Sequence, residues 1–331
     1  MRRRRSSLAA GVALGAALAT LAAPPRAGAQ GGLAEDGALF LLLPVGARAV
    51  GMGQAVVADQ PGSEAVWWNP AALAHADKRE IAIHHSQSLA GTGDALTLVV
   101  PSSVLGVIAL SANIFNFGEI PLTGDQPDVE LGSILTRSFV YAATYATSIG
   151  NHLGAGLSYK LLQFRVDCSG ACPANFSFSG TSSALDVGAQ YDLAPQLPVV
   201  VAISARNLGP RLQVNDTEQS DPLPSRLQLG LLYRVPGIER YSKQAELRLT
   251  GDLLDELQVD RPSARVGADM VWNRRVHLRG GYVFDGGEAG GPALGFGLSA
   301  GSLVLDIARL FQGLSADAGQ APTYLSLRYL F

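Results

Sequence analysis

Residues that could carry out acid–base, nucleophilic or metal chemistry are few in this sequence and lie far apart. His84 and His85 are adjacent in a segment that alternates like a β-strand, so their side chains point to opposite faces and cannot easily bind one metal ion. The remaining histidines are isolated in the sequence: His75, His152 and His277. Ser63-Glu64 lacks the Gly-x-Ser-x-Gly context of a nucleophile elbow. We therefore expect neither an enzyme nor a metal or cofactor site.

Two other short motifs have structural explanations. Gly51-Met52-Gly53 is not a dinucleotide-binding fingerprint, because no strand–turn–helix unit with a third glycine follows it. Cys168 and Cys172 lie in a stretch rich in Gly, Ser, Pro and Asn, and in an exported protein they predict a local loop disulfide. A metal site there would need further ligands, and no histidine is near in the sequence.

The N-terminal residues have the pattern of an export signal. Arg2 to Arg5 form a positive stretch, Leu8 to Ala23 an apolar one, and Ala27-Gly28-Ala29 a small-residue cleavage site. The apolar stretch is shorter than the roughly 20 residues that a spanning helix needs. We predict a signal peptide over residues 1–29, a mature chain that begins at Gln30, and a bacterial protein exported beyond the inner membrane by the general secretion route.

Composition excludes one class of partner and favours a β-structure. The chain has 25 Lys and Arg against 28 Asp and Glu, and the predicted signal peptide removes five arginines and no acid. The mature chain would then carry 20 basic and 28 acidic residues, a net charge of −8, which argues against nucleic acid. Hydrophobic residues reach 47% but are dispersed, as in alternating strands rather than membrane helices.

Apolar and polar residues alternate along the C-terminal two thirds of the chain. Clear examples are residues 185–192, 226–234, 246–253, 265–270 and 276–282. Segments of about ten residues with this period are typical of strands that cross a membrane as a barrel. A soluble β-sandwich also alternates, so alternation alone leaves both architectures open.

The lengths of the connections separate the two architectures. We predict fourteen strands near residues 79–87, 93–101, 104–116, 134–148, 151–165, 180–193, 197–208, 224–235, 244–255, 263–272, 275–285, 292–300, 302–311 and 322–331. Short connections such as 101–103, 149–150 and 273–274 alternate with long polar ones such as 118–132, 166–180 and 208–223. An even strand number with short turns at one end and long loops at the other is the barrel pattern. The predicted fold is all-β: a transmembrane antiparallel up-and-down β-barrel over residues 79–331.

The last strand resembles the terminal strand of bacterial outer-membrane barrels. Leu327, Tyr329 and Phe331 share one face of the segment from Thr323 onward. In such proteins this terminal aromatic strand is the signal that the barrel-assembly machinery reads. The resemblance therefore implies lipid contact for this face and the assembly machinery as a partner.

Removing the terminal aromatic residue tests this interpretation. We expect deletion of Phe331 to lower assembly into the outer membrane and to leave unfolded protein in the periplasm. Heat-modifiable migration of membrane and soluble fractions on gels measures both. Normal assembly of the shortened chain would remove the terminal-signal interpretation.

The segment before the first strand carries the motifs of a known family. In order, they are Gly46-Ala47-Arg48-Ala49, Gly51-Met52-Gly53 and Trp68-Asn69-Pro70-Ala71. With the terminal Phe331, this set resembles the PorV/PorQ family of outer-membrane barrels, which is related to the FadL fatty-acid channels. The resemblance implies a fourteen-stranded barrel whose N-terminal segment, residues 30–78, folds inward as a small plug.

The residue types in this segment suit a plug. Glycines permit a close approach to a wall, and Asn-Pro fixes a turn at the start of a short helix. Irregular backbone at membrane depth needs the barrel interior, where it can find partners or water. We predict that the plug is formed and anchored by Gly46, Arg48, Gly51, Gly53, Trp67, Trp68, Asn69, Pro70 and Ala71.

Charged residues on the polar faces of the strands are predicted to line the lumen. They are Arg226, Arg234, Glu246, Arg248, Asp252, Arg265, Asp269, Arg279, Asp306 and Arg328. Opposite signs on neighbouring strands would pair, and so hold water or the plug, rather than select ions of one sign. A neutralised interior that only stiffens the wall is the alternative.

Three functions remain open from the sequence. The FadL-like layout implies passive transport of hydrophobic or amphipathic small molecules across the outer membrane. The PorV side implies a non-channel barrel that docks exported proteins or secretion-system components at the cell surface through its long loops. A soluble periplasmic β-protein is the third possibility. In the first two cases the partners are outer-membrane lipid, the assembly machinery, and either hydrophobic small molecules or secreted proteins.

Overall fold

The computed structural model describes residues 38–59, 62–123, 130–172, 177–214, 220–238, 242, 244–256, 262–284, 290–311 and 321–331. The predicted signal peptide over residues 1–29 and the predicted mature start at Gln30 lie outside this set. Among the described residues, no helix is long and apolar enough to cross a membrane.

Within the described residues, one sheet contains sixteen strands. They are β1 (Glu80–Ser88), β2 (Gly91–Ser102), β3 (Gly106–Thr123), β4 (Glu130–Ile149), β5 (Leu153–Gly170), β6 (Phe178–Asp192), β7 (Val199–Leu208), β8 (Leu212–Val214), β9 (Ser220–Asp221), β10 (Arg226–Arg234), β11 (Ala245–Glu256), β12 (Ser263–Trp272), β13 (Val276–Phe284), β14 (Gly291–Ala300), β15 (Leu303–Leu310) and β16 (Thr323–Leu330).

The sheet closes on itself as a barrel. β1 pairs antiparallel with β16, and β5 pairs antiparallel with β6, so the two ends of the strand order meet. The short β8–β9 hairpin attaches to the end of β6 and is not part of the ring. The other fourteen described strands form the barrel, each paired with its neighbours in the chain. The prediction of a closed fourteen-stranded antiparallel barrel with an N-terminal plug is confirmed.

Side chains alternate between the outside and the lumen along each strand, as the pleat requires. Tyr191, Leu229 and Leu278 are exposed on the outer face, whereas Ala142, Thr144 and neighbouring positions of the same parity are buried inside. A barrel wall in lipid needs apolar side chains on its outer face. Two packed open sheets would instead bury those apolar positions against each other.

Three strands are longer than the sequence indicated. β3, β4 and β5 contain 18, 20 and 18 residues, whereas spanning needs about 9–11. Their extensions lie at the end of the barrel that carries the long connections. Within them β4 pairs with β3 and with β5, where Ile134 lies opposite Cys168. The extensions were missed because both of their faces are partly exposed, so no apolar face repeats with period two. The hairpin β8–β9 was missed because its strands contain only three and two residues, too few to show a period.

The chain end and the cysteines have simple surroundings. Phe331 and Arg79 exchange two backbone hydrogen bonds beyond the end of β16, and Leu327, Tyr329 and Phe331 are exposed on the outer face. Cys168 and Cys172 are joined by a disulfide, with their Cα atoms 6.1 Å apart. Because β5 continues to Gly170, this bond joins the end of a strand to the following turn rather than closing a free loop.

The described part of the plug contains five short helical turns. Two are α-helical, α1 (Ala47–Gly51) and α2 (Ala65–Trp68), and three are 3-10 turns over Leu39–Leu42, Gly62–Glu64 and Pro70–His75. The last begins as the Asn-Pro sequence predicts: the Asn69 side chain accepts a hydrogen bond from the Ala71 N–H at 3.1 Å, with Pro70 in the first turn. Most plug side chains are buried, since the wall surrounds them.

Candidate functional site: the plugged lumen

The plug lies with its backbone directly against one side of the wall. A Cβ atom added at Gly51 would come within 2.9 Å of the Gly295 Cα atom, and one at Gly53 within 2.6 Å of the Tyr282 backbone nitrogen. Conversely, Gly267 and Gly281 in the wall would overlap the plug backbone if they had side chains. Glycine is required on both sides of this contact because only backbone atoms fit between β12–β14 and the plug.

A second group of wall glycines receives the Asn-Pro turn. A Cβ atom at Gly154 would lie 2.9 Å from the Ala71 carbonyl oxygen, and Cβ atoms at Gly156 and Gly188 would overlap Pro70 and the Asn69 side chain. The Asn69 amide also donates to the Val57 carbonyl at 2.8 Å. β5–β6 and β12–β14 therefore hold the body of the plug from separate parts of the ring.

Buried ion pairs connect the plug to the wall. Arg48 contacts Asp59 within the plug and lies 3.7 Å from Asp269 of β12. Arg248 of β11 bridges the same two carboxylates at 3.6 and 3.2 Å, and the His277 ring nitrogen is 3.3 Å from Asp269. This arrangement places opposite charges beside one another and leaves no row of one sign among these residues.

The pairing continues around the ring towards the first strand. Arg279 contacts Asp306 at 2.6 Å, and Arg328 contacts the same carboxylate at 3.0 Å. Arg328 also lies 3.9 Å from Glu80, which accepts hydrogen bonds from the Ser63 hydroxyl and N–H. The plug is thus bound to β1 by a neutralised polar network.

The other predicted lumen charges divide into two groups. Asp252 accepts a hydrogen bond from the Val57 N–H of the plug at 3.1 Å, and Arg226 and Arg265 are buried. Arg234 pairs with Asp192 near the short-turn end. Glu246 is exposed and lies 4.0 Å from Arg274 at that same rim, so neither Arg234 nor Glu246 joins the described plug network.

Glu64 organises the start of α1. Its carboxylate accepts hydrogen bonds from the Arg48 and Ala49 N–H groups at 3.3 and 2.9 Å, two of the donors that a helix start leaves unpaired. Gly46 has a φ of 98° and no room for a side chain beside this carboxylate. Burial raises the pKa of Glu64 to about 7, although the nearby Arg328 guanidinium lowers it.

The raised pKa of Glu64 predicts that the plug is less stable at high pH. The folded plug retains this proton more tightly than the unfolded chain, where a glutamate titrates near about 4.3. The contribution of this proton to the stability of the plug is therefore complete below about pH 4.3 and is lost as the pH rises through about 7. We expect resistance of the plug to proteolysis to fall between about pH 5 and pH 8, and Glu64→Gln to reduce the dependence. Glu246→Gln at the exposed rim is the matched control, and an unchanged slope in Glu64→Gln would contradict the assignment.

A buried histidine and serine near Glu64 have a structural role. The Ser326 hydroxyl accepts the Ala47 N–H at 2.8 Å and lies 2.8 Å from His84 Nδ1. The Glu64 carboxylate is 4.0 Å from that same ring nitrogen. A catalytic triad needs the serine and the carboxylate on opposite ring nitrogens. These groups instead fix α1 against β16 and β1.

Side chains of the wall contact the backbone carbonyls of Trp67 and Trp68 and the ring of Trp68. Arg206 donates to the Trp67 carbonyl at 2.6 Å, and its guanidinium lies 5.2 Å from the centre of the Trp68 ring. Ser204 donates to the Trp68 carbonyl at 3.0 Å. The Trp68 indole N–H donates to the Val45 carbonyl at 2.9 Å, so it also holds the segment that precedes α1.

That segment, Leu39–Val45, is here called the strap, and it separates two pockets. The first is the larger of the two. It is lined by the strap, both tryptophans, Asn113, Val140, Lys160, Arg206 and Arg226, with Phe40 among the strap residues. The second lies across Leu43–Val45 and is lined mainly by β1–β3, including His84, Ala95, Asn113 and Phe115.

Both pockets lie towards the end of the barrel with the long connections. Arg206 and Arg226 lie at the ends of β7 and β10 that face that side, and Ser86 and Gly93 lie near the β1–β2 turn on the same side. The strap hydrogen bonds found among the described residues are internal or come from Trp68. No described wall glycine has a strap atom among the three atoms nearest to its Cβ position. The strap is therefore less firmly attached to the wall than the rest of the plug.

Comparisons with known proteins agree on the fold. The sequence matches no protein-family model and no curated protein. The toluene transporter TbuX of Ralstonia pickettii matches with a TM-score of 0.58 and 11% identity, over 86% of this chain and 98% of its own. The monoaromatic hydrocarbon channel CymD gives 0.59 and 14%, over 88% and 98%. A Pseudomonas aeruginosa FadL homologue gives 0.56 and 12%, over 87% and 98%.

Several residues of this site were not singled out from the sequence. Glu64 and Asp59 form buried contacts within the plug, and Glu80 of β1 binds the plug. Lys160 pairs with Asp186 at 2.5 Å beside the first pocket. A lone acidic residue in a motif or at a strand start gives no signal of burial. The wall glycines had a recognisable signal, since they recur at inward positions of strands where a glycine otherwise weakens the sheet.

Proposed function

We propose that this chain is an outer-membrane barrel that allows hydrophobic or amphipathic small molecules to cross passively. The observation that carries the proposal is the pair of pockets that flank a weakly attached strap, one lined mainly by apolar groups and the other by apolar and polar groups together. The TbuX and CymD structures, named as a toluene transporter and a monoaromatic hydrocarbon channel, share the fold. Both names describe transport rather than catalysis, which agrees with the scarcity of catalytic groups in this sequence.

The proposed location follows from the fold and the predicted export signal. The outer face of the barrel exposes apolar side chains around the ring, which suits lipid. In outer-membrane barrels the short turns face the periplasm and the long loops face outward. The two pockets would then be open to the cell exterior, and lipid and the assembly machinery would be the structural partners.

The strap is the proposed gate. The plug body is bound by backbone contacts with wall glycines and by buried ion pairs, and moving it would expose all of these groups. The strap contributes mainly apolar contacts through Phe40, Leu41 and Leu43. An apolar ligand can replace such contacts with little loss, because burial of apolar area is non-directional. Displacement of Leu39–Val45 would join the two pockets while the plug body stays in place.

Docking of exported proteins is the second candidate, and it rests on the resemblance to the PorV/PorQ family. The supporting observation is the outward extension of β3–β5, whose strands have about twice the length that spanning needs. The Cys168–Cys172 disulfide stabilises the edge of this extension. Removal of residues 118–132 separates the candidates: uptake of small molecules should persist in a channel, and partner recovery should fail in a docking barrel.

Uptake by intact Gram-negative cells tests the transport proposal. We expect cells that carry the barrel to accumulate a radiolabelled aromatic hydrocarbon faster than cells with an empty vector. Entry of a hydrophilic sugar should be the same in both, since the plug body fills the lumen. Equal hydrocarbon uptake, at matched levels of folded barrel on gels, would contradict the proposal.

A further inference from the structure

Two arginines lie directly opposite each other on the outer face of the barrel. Arg137 of β4 and Arg165 of β5 are register partners, and the pairing of these strands keeps one register along their length. Tyr141 and Leu161 are also register partners and are exposed on the outer face. Because side chains alternate along a strand, both arginines share that face. Their side chains are 37% and 52% exposed, so a molecule outside the barrel can reach them.

The two cations share one carboxylate. Asp167 of β5 accepts hydrogen bonds from Arg137 Nη2 at 3.0 Å and from Arg165 Nε at 2.8 Å. Among the described ion pairs, it is the only acid that contacts either arginine. The residues opposite the two arginines on the flanking strands, Asn116 and Ser179, are neutral. The cluster therefore has one positive charge in excess.

This excess charge weakens the sheet unless something neutralises it. Like charges directly opposite each other in an antiparallel pair are destabilising. Each guanidinium carries five N–H groups in a fixed fork, and Asp167 accepts from one nitrogen of each. The donors that Asp167 does not use are suited to an anion with several oxygen atoms, such as a phosphate group.

The arginines lie at the height expected for lipid headgroups. Tyr141, Tyr159 and Leu161 are exposed on the outer face below them, and aromatic residues border the apolar band of a barrel at the membrane surfaces. Arg137 is four residues beyond Tyr141, and Arg165 is four residues beyond Leu161, towards the long connections. Four residues span about 13 Å along a strand, or about 10 Å across the membrane for a tilted strand.

We infer that Arg137 and Arg165 bind the phosphate group of a lipid in the outer leaflet. The lipid's acyl chains would lie on the apolar outer face beside Tyr141 and Leu161, and its phosphate would supply the negative charge that the arginine pair lacks. The lipid would thus anchor the base of the β3–β5 extension. This inference rests on the proposed outer-membrane location but not on transport, since a docking barrel would carry the same site.

Retention of two lipids that differ only in phosphate tests the inference. The probes are bisphosphorylated lipid A and the same lipid after removal of its phosphates. Native mass spectrometry of the folded full-length barrel measures the fraction that keeps each lipid after release from detergent. Heat-modifiable migration confirms that every variant is folded.

Three variants separate a phosphate site from a structural ion pair. Arg137→Gln with Arg165→Gln removes the site. Arg274→Gln with Arg309→Gln removes the same charge from two exposed arginines on separate strands or turns, and it is the matched control. Asp167→Asn removes the carboxylate that competes with the phosphate.

We expect the Arg137/Arg165 variant to bind the phosphorylated lipid about tenfold more weakly, the order expected for lost hydrogen bonds to a charged group. The control should bind it as the wild type does, and Asp167→Asn should bind it more tightly. The dephosphorylated lipid should bind weakly and equally to all four proteins. Inorganic phosphate should not displace the phosphorylated lipid, because the acyl chains also contribute to binding.

Four results would overturn the inference. The wild type could retain both lipids equally, or the control could lose as much lipid as the Arg137/Arg165 variant, which indicates attraction by net charge alone. Weaker binding by Asp167→Asn would indicate that the three residues form a structural cluster. Displacement by inorganic phosphate would indicate a site for a free anion. None of these results alters the expected hydrocarbon uptake, so the transport proposal is tested separately.

Discussion

Replacing Trp67 and Trp68 together with alanine should increase uptake of a hydrophobic probe by intact cells several-fold and destabilise the plug. Each large buried aromatic residue that is cut back to alanine costs about 3–5 kcal/mol, and neighbouring losses add incompletely. The change also removes the Trp68 hydrogen bond to Val45, which is the main polar attachment of the strap. Both effects favour a displaced strap.

The same double substitution distinguishes the two candidate functions. In a channel, hydrophobic uptake should rise because the strap is released. In a docking barrel, the plug should lose stability while uptake stays at the level of the empty vector. Trp272→Ala on the outer face is the control for loss of an aromatic ring, and heat-modifiable migration confirms that each barrel is assembled.

Replacing Gly281 with alanine should dislodge the plug body without opening the barrel wall. The added Cβ atom would overlap the backbone nitrogen of Gly53, and neither backbone can move without breaking its own contacts. We expect a large increase in the passage of a hydrophilic sugar, measured by the swelling rate of vesicles that contain the purified barrel. The N-terminal segment should also become sensitive to protease.

Gly280 provides the matched control one residue away. Its side-chain position has room, with the nearest heavy atom, Leu294 Cδ2, 4.0 Å from an added Cβ. Gly280→Ala should therefore leave both swelling and protease resistance unchanged. Wild-type behaviour of Gly281→Ala would contradict the view that backbone contact with the wall holds the plug.

The barrel was predictable from the sequence because membrane-spanning strands follow a simple rule. Each strand must present apolar side chains to lipid, and this requirement imposes a period of two that residues 226–234 and 265–270 display clearly. Connection lengths then gave the direction of the strands. The extensions of β3–β5 lie beyond that requirement, so the sequence did not contain the same signal for them.

The plug was predictable in kind but not in its contacts. Asn69-Pro70 specifies a local turn, and the turn was found where those residues place it. The start of α1 donates hydrogen bonds to the carboxylate of Glu64, which is distant from this helix in the sequence. Nothing in the residues around Glu64 indicates this contact. The strap and its pockets could not be predicted either, because Leu39–Val45 reads as an ordinary apolar stretch.

Fixing one part of the plug at a time shows which part must move. One variant carries cysteines at Pro44 and Asn113, which line both pockets, so that a short thiol-reactive linker can fix the strap to β3. A second carries cysteines at Ala47 and Ser326, whose backbone nitrogen and hydroxyl are 2.8 Å apart, so that a bond fixes the plug body to β16. Hydrophobic uptake by intact cells is then compared before and after bridging. If the strap is the gate, uptake stops when the strap is fixed and continues when only the body is fixed; continued uptake with a fixed strap would contradict this gating.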